Sequence, residues 1–271
     1  MDVLPALVPP LPRAVEFRRG LPQNTALLWL RAGWADLKVS PGLSLAYGAA
    51  VLAASLTVVA GLFWLGWGSV LFPALSAFLV VGPILAVGLY EKSRLIAARE
   101  PLSLTRMVFV KAASGRQILM VGVVLCLLMA LWMRAAVIIY ALFFGMRPFL
   151  GFDQIAQALF TTSAGWSMLA VGSVVGGLFA ALAFAISVLS IPLLLTERID
   201  AFTAMGTSMA LVWNNMPVMI AWGAIVAVSF ALCLVTGLLG LVVLFPLLGH
   251  ATWHACQAMR VSQALRDEAA A

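Results

Sequence analysis

Three stretches without a single Asp, Glu, Lys or Arg divide this chain: 52 residues between Lys38 and Glu91, 43 between Asp153 and Glu197, and 59 between Asp200 and Arg260. A helix that crosses a bilayer needs about 20 apolar residues, so each stretch holds one or two spans. Short alternating segments of the kind that build a membrane β-barrel are absent. Only 10% of residues are charged, against roughly 25% in soluble domains. The chain therefore reads as all-α and polytopic.

The expected order is as follows. Residues 1–23, with Pro5, Pro9, Pro10, Pro12 and Pro22 among three arginines, predict a Pro-rich cytoplasmic tail rather than a signal peptide. After Asn24, a good N-cap, Leu27, Leu30, Trp34 and Leu37 recur at helical spacing, which predicts a short amphipathic helix at the membrane interface or against the protein's own cytoplasmic face. Spans follow over about 43–65, 69–90, 117–145, 166–195 and 217–235, and a sixth runs from the Thr236-Gly237 turn out to about Met259. Ser103 is placed to cap a second surface helix, and Asp153 a short one through Phe160. A third surface helix is expected over 200–213, with Phe202, Met205, Met209 and Val212 as its stripe. Small residues (Ala49, Ala53, Thr57 and Gly61; Ser173, Gly177, Ala181 and Ala185, beside Gly172 and Gly176) predict close packing on the first and fourth spans, with the fourth the most centrally packed. Beyond Arg134 the third span either continues as a long tilted helix or ends in a partly embedded segment.

Three of these spans share a grammar. Pro83, Pro192 and Pro246 each sit in an apolar run, eight residues before Glu91, Asp200 and His254. Repetition of this kind implies a repeated unit. The chain divides into units of about 24–92, 103–198 and 200–259, each a surface helix and a two-helix hairpin, within one transmembrane domain over 24–259, with a tail over 260–271. Six spans in three hairpins put both termini in the cytoplasm, with 14 of the 16 Lys and Arg on that side, as the positive-inside bias requires. The net charge of +6 thus reports orientation, and nucleic-acid binding is excluded.

Candidate chemistry is sparse. The only two histidines, His250 and His254, lie one helical turn apart and could reach one transition metal, joined by Glu91, Glu197 or Asp200. The competing reading has each histidine bonded to a backbone carbonyl or a neighbouring acid at a helix end, with Glu197 paired to Arg94 or Arg198. Each proline frees a carbonyl, those of Leu79, Val188 and Val242, as broken transporter helices do. Cys126, Cys233 and Cys256 have no ligand-like spacing, and no nucleophile–base–acid set or phosphate loop is recognisable. No cofactor is expected unless that metal is bound, and catalysis is not the expected role.

Gly33-Trp34-Ala35-Asp36-Leu37, Ser44-Leu45-Ala46-Tyr47-Gly48, Gly82-Pro83 through Glu91, Thr196-Glu197-Arg198, Asn215-Met216-Pro217 and Gly249-His250-Ala251-Thr252-Trp253-His254 together resemble a mainly proteobacterial family of predicted integral membrane proteins of unknown function. Cys256-Gln257 departs from its pattern, in which an aromatic and a basic residue are usual. The resemblance implies an inner-membrane location and brings no activity or cofactor. Some members are likened to cytochrome oxidase subunit one, but two histidines cannot supply that subunit's haem and copper ligands. The expected role is a non-enzymatic scaffold, accessory or assembly protein of a membrane complex, of which a respiratory complex is one untested candidate, with the bilayer as surroundings. The alternative is a small-solute or metal transporter using the cytoplasmic His and carboxylate residues.

Overall fold

The computed structural model describes residues 17–67, 81–145 and 152–260, with Leu71 and Phe78 between the first two stretches and only the backbone of 152–156. Most of the expected N-terminal tail, the tip and first half of the second expected span, the loop with Arg147 and Pro148, and the C-terminal tail lie outside the described residues. Within them the chain is helical, and the sole β feature is an isolated antiparallel bridge between Phe17 and Arg260. The helices are α1 (Thr25–Lys38), α2 (Pro41–Trp64), α3 (Val87–Ala97), α4 (Leu104–Val108), α5 (Gly115–Phe144), α6 (Phe152–Thr161), α7 (Ser163–Ser187), α8 (Ser190–Thr196), α9 (Ala201–Asn214), α10 (Met216–Val235) and α11 (Leu241–Met259). Among the described residues four stretches are long and apolar enough to cross a membrane: α2, α5, α7 with α8, and α10.

The surface helices form where expected, but on a different phase. Ser103 caps α4 by accepting from the Arg106 N–H, and the Asp200 carboxylate caps α9 through the Thr203 N–H at 2.9 Å. Asn24 precedes α1 without a side-chain cap bond, and Asp153 falls inside the first turn of α6 rather than before it. In α1 the buried residues are Ala26, Trp29, Gly33, Asp36 and Leu37, so of the expected stripe Leu37 faces the protein while Leu27 and Trp34 face outward. In α9 they are Ala201, Ala204, Met205, Ser208 and Leu211, so Met205 of the expected stripe is buried, with Phe202 and Met209 outward. Each buried face is thus centred about one residue before the apolar stripe that the sequence displays and overlaps it at one position.

The small faces are likewise displaced. On α2 the packed positions are Ser44, Gly48 and Val51, and Ala49, Ala53 and Thr57 are exposed. On α7 Ser173, Gly177 and Ala181 are exposed, and of the expected small face it is Gly176 that makes close contact, under the Trp132 ring. α5 is one continuous helix of 30 residues through an exposed Arg134, about 45 Å long, so the long-helix alternative holds.

Proline chemistry decides where the helices break. Pro192 cannot donate to the Val188 carbonyl, and the fourth expected span is interrupted between α7 and α8, at Val188 and Leu189. The Leu189 N–H donates to Ser208 Oγ at 3.2 Å, and the Ser208 hydroxyl donates to the Ala185 carbonyl at 2.7 Å, so α9 repairs the break. A second discontinuity falls at Ala86, three residues after Pro83, and there the Tyr47 hydroxyl donates to the Leu85 carbonyl at 2.7 Å. Pro246 stays inside α11. The carbonyl it frees, that of Val242, abuts Gly48, where an added Cβ would lie 2.4 Å from the oxygen. Ser208→Ala is expected to leave the buried Leu189 N–H unpaired and cost about 1–3 kcal/mol, read as a lowered melting temperature of the purified protein. An unchanged melt would remove Ser208 from the repair.

Each surface helix packs on helices of another expected unit: α1 on α11, which carries Pro246, α4 on α3, and α9 on α7 and on α8, which carries Pro192. Burial is accordingly concentrated at the end of the molecule that carries these helices, where every residue of α8 from Ser190 to Leu195 is buried. At the opposite end Phe63 and Trp64 of α2, Ile138 and Leu142 of α5, Trp166 and Val174 of α7, and Leu232 and Val235 of α10 are exposed. Such apolar surface has no place in water and matches hydrocarbon.

Candidate functional site

The polar residues of the densely packed end come from four helices. α1 supplies Asp36, α2 Ser44, α3 Lys92 and Ser93, and α11 His250 and His254. Glycines bring these backbones together. A Cβ on Gly33 would lie 2.6 Å from the Ala251 nitrogen, and one on Gly249 would lie 2.7 Å from a Leu89 methyl. One turn on from Gly33 is Asp36, one residue before Ala251 is His250, and three residues after Leu89 is Lys92. The flush crossings therefore set the site.

Lys92 is fully buried, and its ammonium has three acceptors for three protons: the carbonyls of Asp36 and Ser40, each at 3.3 Å, and Ser44 Oγ at 2.6 Å. It caps the C-terminal end of α1, where the helix dipole is negative. It also holds Ser40, whose φ of 51° is a left-handed conformation costing roughly 1–2 kcal/mol away from glycine. Because an ammonium only donates, Ser44 accepts from Lys92 and turns its own proton to His250 Nε2, at 2.9 Å. His250 Nε2 is then an acceptor, and the neutral tautomer with Nδ1–H donates to Ser93 Oγ at 2.8 Å. His254 Nε2–H donates to Asp36 Oδ2 at 2.8 Å, and Ser93 also acts on the Asp36 carboxylate. The donors thus run in one direction, Lys92 to Ser44 to His250 to Ser93, and end with His254 on Asp36.

Burial pushes the Asp36 carboxyl up, but the His254 and Ser93 side chains and the nearby His250 pull harder, and the carboxyl sits below its ordinary value of 3.8. Burial pulls Lys92 down to about 8, against the opposing pull of Asp36. The signs give a pH profile. The stabilisation from Asp36 is complete above about pH 4 and is lost as pH falls through its lower folded value. Lys92 has the same sign at higher pH: between about 8 and 10.5 the unfolded chain keeps a proton that the folded chain releases, so its contribution to stability rises with pH there. The expected result is that Lys92→Met flattens the alkaline part of the melting-temperature profile relative to wild type. Parallel profiles for the two proteins would contradict it.

The expected cluster of Glu91, Glu197, Asp200, His250 and His254 is divided by its partners. Glu91 is held by Arg94 in a two-bond ion pair at 2.7 and 2.8 Å. Glu197 pairs with Arg260, and not with Arg94 or Arg198. Asp200 is engaged by Thr203. The two histidines are linked only through Ser93 and Asp36, and among the described residues no three His, Cys, Asp or Glu side chains are grouped to hold one metal ion. Sequence reasoning missed Asp36, Ser44, Lys92 and Ser93. The available signal was register: Asp36 falls three residues after Gly33, on the small-residue face of α1.

Residues 71–196 match the family described as Predicted integral membrane protein (DUF2189). Comparison with curated proteins and with solved structures finds no match.

Proposed function

We propose that this chain is a multi-pass bacterial inner-membrane protein with six spans in three hairpins and both termini in the cytoplasm, acting as a non-enzymatic scaffold or accessory subunit of a membrane complex. The spans added to the four long apolar stretches are the 69–90 segment and α11. Exposed Trp64, Trp67 and Trp166 fall at one end of this arrangement and exposed Trp34 and Trp213 at the other, as interfacial belts do. The observation that carries the scaffold reading is the closure of the polar network. All three protons of Lys92 and both ring nitrogens of His250 are used on atoms of the chain itself, which leaves none directed at a substrate. Purification in mild detergent tests it: a stoichiometric partner is the expected result, and a chain that elutes alone and moves a solute in proteoliposomes would defeat it. Reporter fusions after Leu195 and in the Gly151 loop test the topology.

The second reading, transport of a small solute or metal past His250 and His254, is favoured by the interruption at Val188 and Leu189. It predicts flux that disappears in the His250→Ala, His254→Ala variant without loss of folding. The scaffold reading predicts that this variant melts at lower temperature.

A further inference from the structure

An open pocket of about 630 Å³ lies where the start of α5 meets the loop between α8 and α9, lined by residues 113–117, 198–200 and Thr203. Arg116 and Arg198 both line it, both are exposed, and neither pairs with a carboxylate among the described residues. The acid on its rim, Asp200, accepts from Thr203 through both oxygens and keeps its charge, so the two arginines leave the pocket with one positive charge in excess. Two free guanidinium groups over one pocket suit a phosphate, which accepts their paired N–H donors. What leads away from the pocket is apolar. Leu119, Met120, Val123 and Leu127 follow Arg116 at i+3, i+4, i+7 and i+11, hence on one helix face, and all four are exposed. Next in sequence to the lining residue Thr203, Phe202 of α9 is 70% exposed.

We propose that this pocket binds an anionic phospholipid, with its phosphate between Arg116 and Arg198 and its acyl chains along Leu119, Met120 and Val123 of α5 and Phe202 of α9. A free anion would use the cations and none of the apolar walls; a zwitterionic lipid would use the walls but bring a cation of its own to the arginines. The proposal rests on the membrane-spanning reading, which places the start of α5 at the cytoplasmic headgroup level.

The test uses the full chain purified in mild detergent, with phosphatidylglycerol, phosphatidylcholine of the same acyl chains, and inorganic phosphate as probes. Retained lipid is counted by native mass spectrometry and protection by the thermal melt. Wild type is expected to retain and be stabilised by phosphatidylglycerol over phosphatidylcholine. Arg116→Gln with Arg198→Gln is expected to bind phosphatidylglycerol roughly tenfold more weakly, and the Arg→Lys pair to keep most of the binding. Equal retention of the two lipids by wild type, or undiminished preference in the folded glutamine variant, would overturn the proposal, as would protection by inorganic phosphate equal to that by the lipid. If the glutamine variant does not fold, the wild-type comparison still decides. A chain released from membranes by alkaline washing would instead overturn the membrane-spanning reading itself.

Discussion

Lys92→Met is expected to lower the stability of the folded chain by about 1–3 kcal/mol, the cost of leaving buried acceptors without their donor. Methionine fills a similar volume, so the loss is electrostatic and not steric. It leaves the carbonyls of Asp36 and Ser40 and the Ser44 oxygen without the donor that now serves all three. It also releases the left-handed turn at Ser40 and the negative end of α1. The adjacent Glu91 provides the contrast. Its partner Arg94 is about a third exposed, and an ion pair so placed is worth only about 0–1 kcal/mol. The melting temperature of Lys92→Met should therefore fall well below that of Arg94→Ala. Equal melts would show that the buried lysine is not structurally engaged.

Gly33→Leu is expected to be at least as damaging. The first added carbon would lie 2.6 Å from the Ala251 nitrogen and 2.8 Å from its Cβ. The nitrogen is backbone and cannot rotate aside, so α1 must lift from α11. Overpacking of a tight contact costs about 1–3 kcal/mol by itself. Here the displacement also draws Asp36 away from His254 and its carbonyl away from Lys92, so the penalties combine. A substitution one residue on, Trp34→Leu, acts on the outward face and should change the melt little. The comparison of these two variants checks the phase of α1: if Trp34→Leu proves the costlier, the packed face has been assigned wrongly.

That phase is where sequence and structure part. Apolar spacing gave the lengths and positions of α1 and α9, but a helix at a membrane interface meets lipid on one side and protein on the other, and both favour apolar residues. Hydrophobicity then sets the period and not the face. Small residues mark where the faces touch: Ala26 and Gly33, like Ala201, Ala204 and Ser208, lie on the side where another backbone approaches, with Trp29 and Leu211 packed beside them. The prolines were legible for the same local reason, since a missing N–H frees a known carbonyl wherever it occurs. The bridging of the breaks, by Tyr47 at the Leu85 carbonyl and by Ser208 between the Leu189 N–H and the Ala185 carbonyl, was not, because it depends on which distant helix lies alongside. Lys92 and Asp36 read as interfacial charges in sequence, and only the crossing of α1, α2, α3 and α11 encloses them.

The most direct test of the closed network is a double-mutant cycle between Lys92 and Asp36, by thermal and denaturant melts of wild type, Lys92→Met, Asp36→Asn and the double variant. Each single change is expected to destabilise. The double is expected to cost less than the two together by about 0.5–3 kcal/mol, as for groups joined in one network. Additive effects, or single variants that melt like wild type, would contradict it and return these residues to the pool of groups free to act on a substrate.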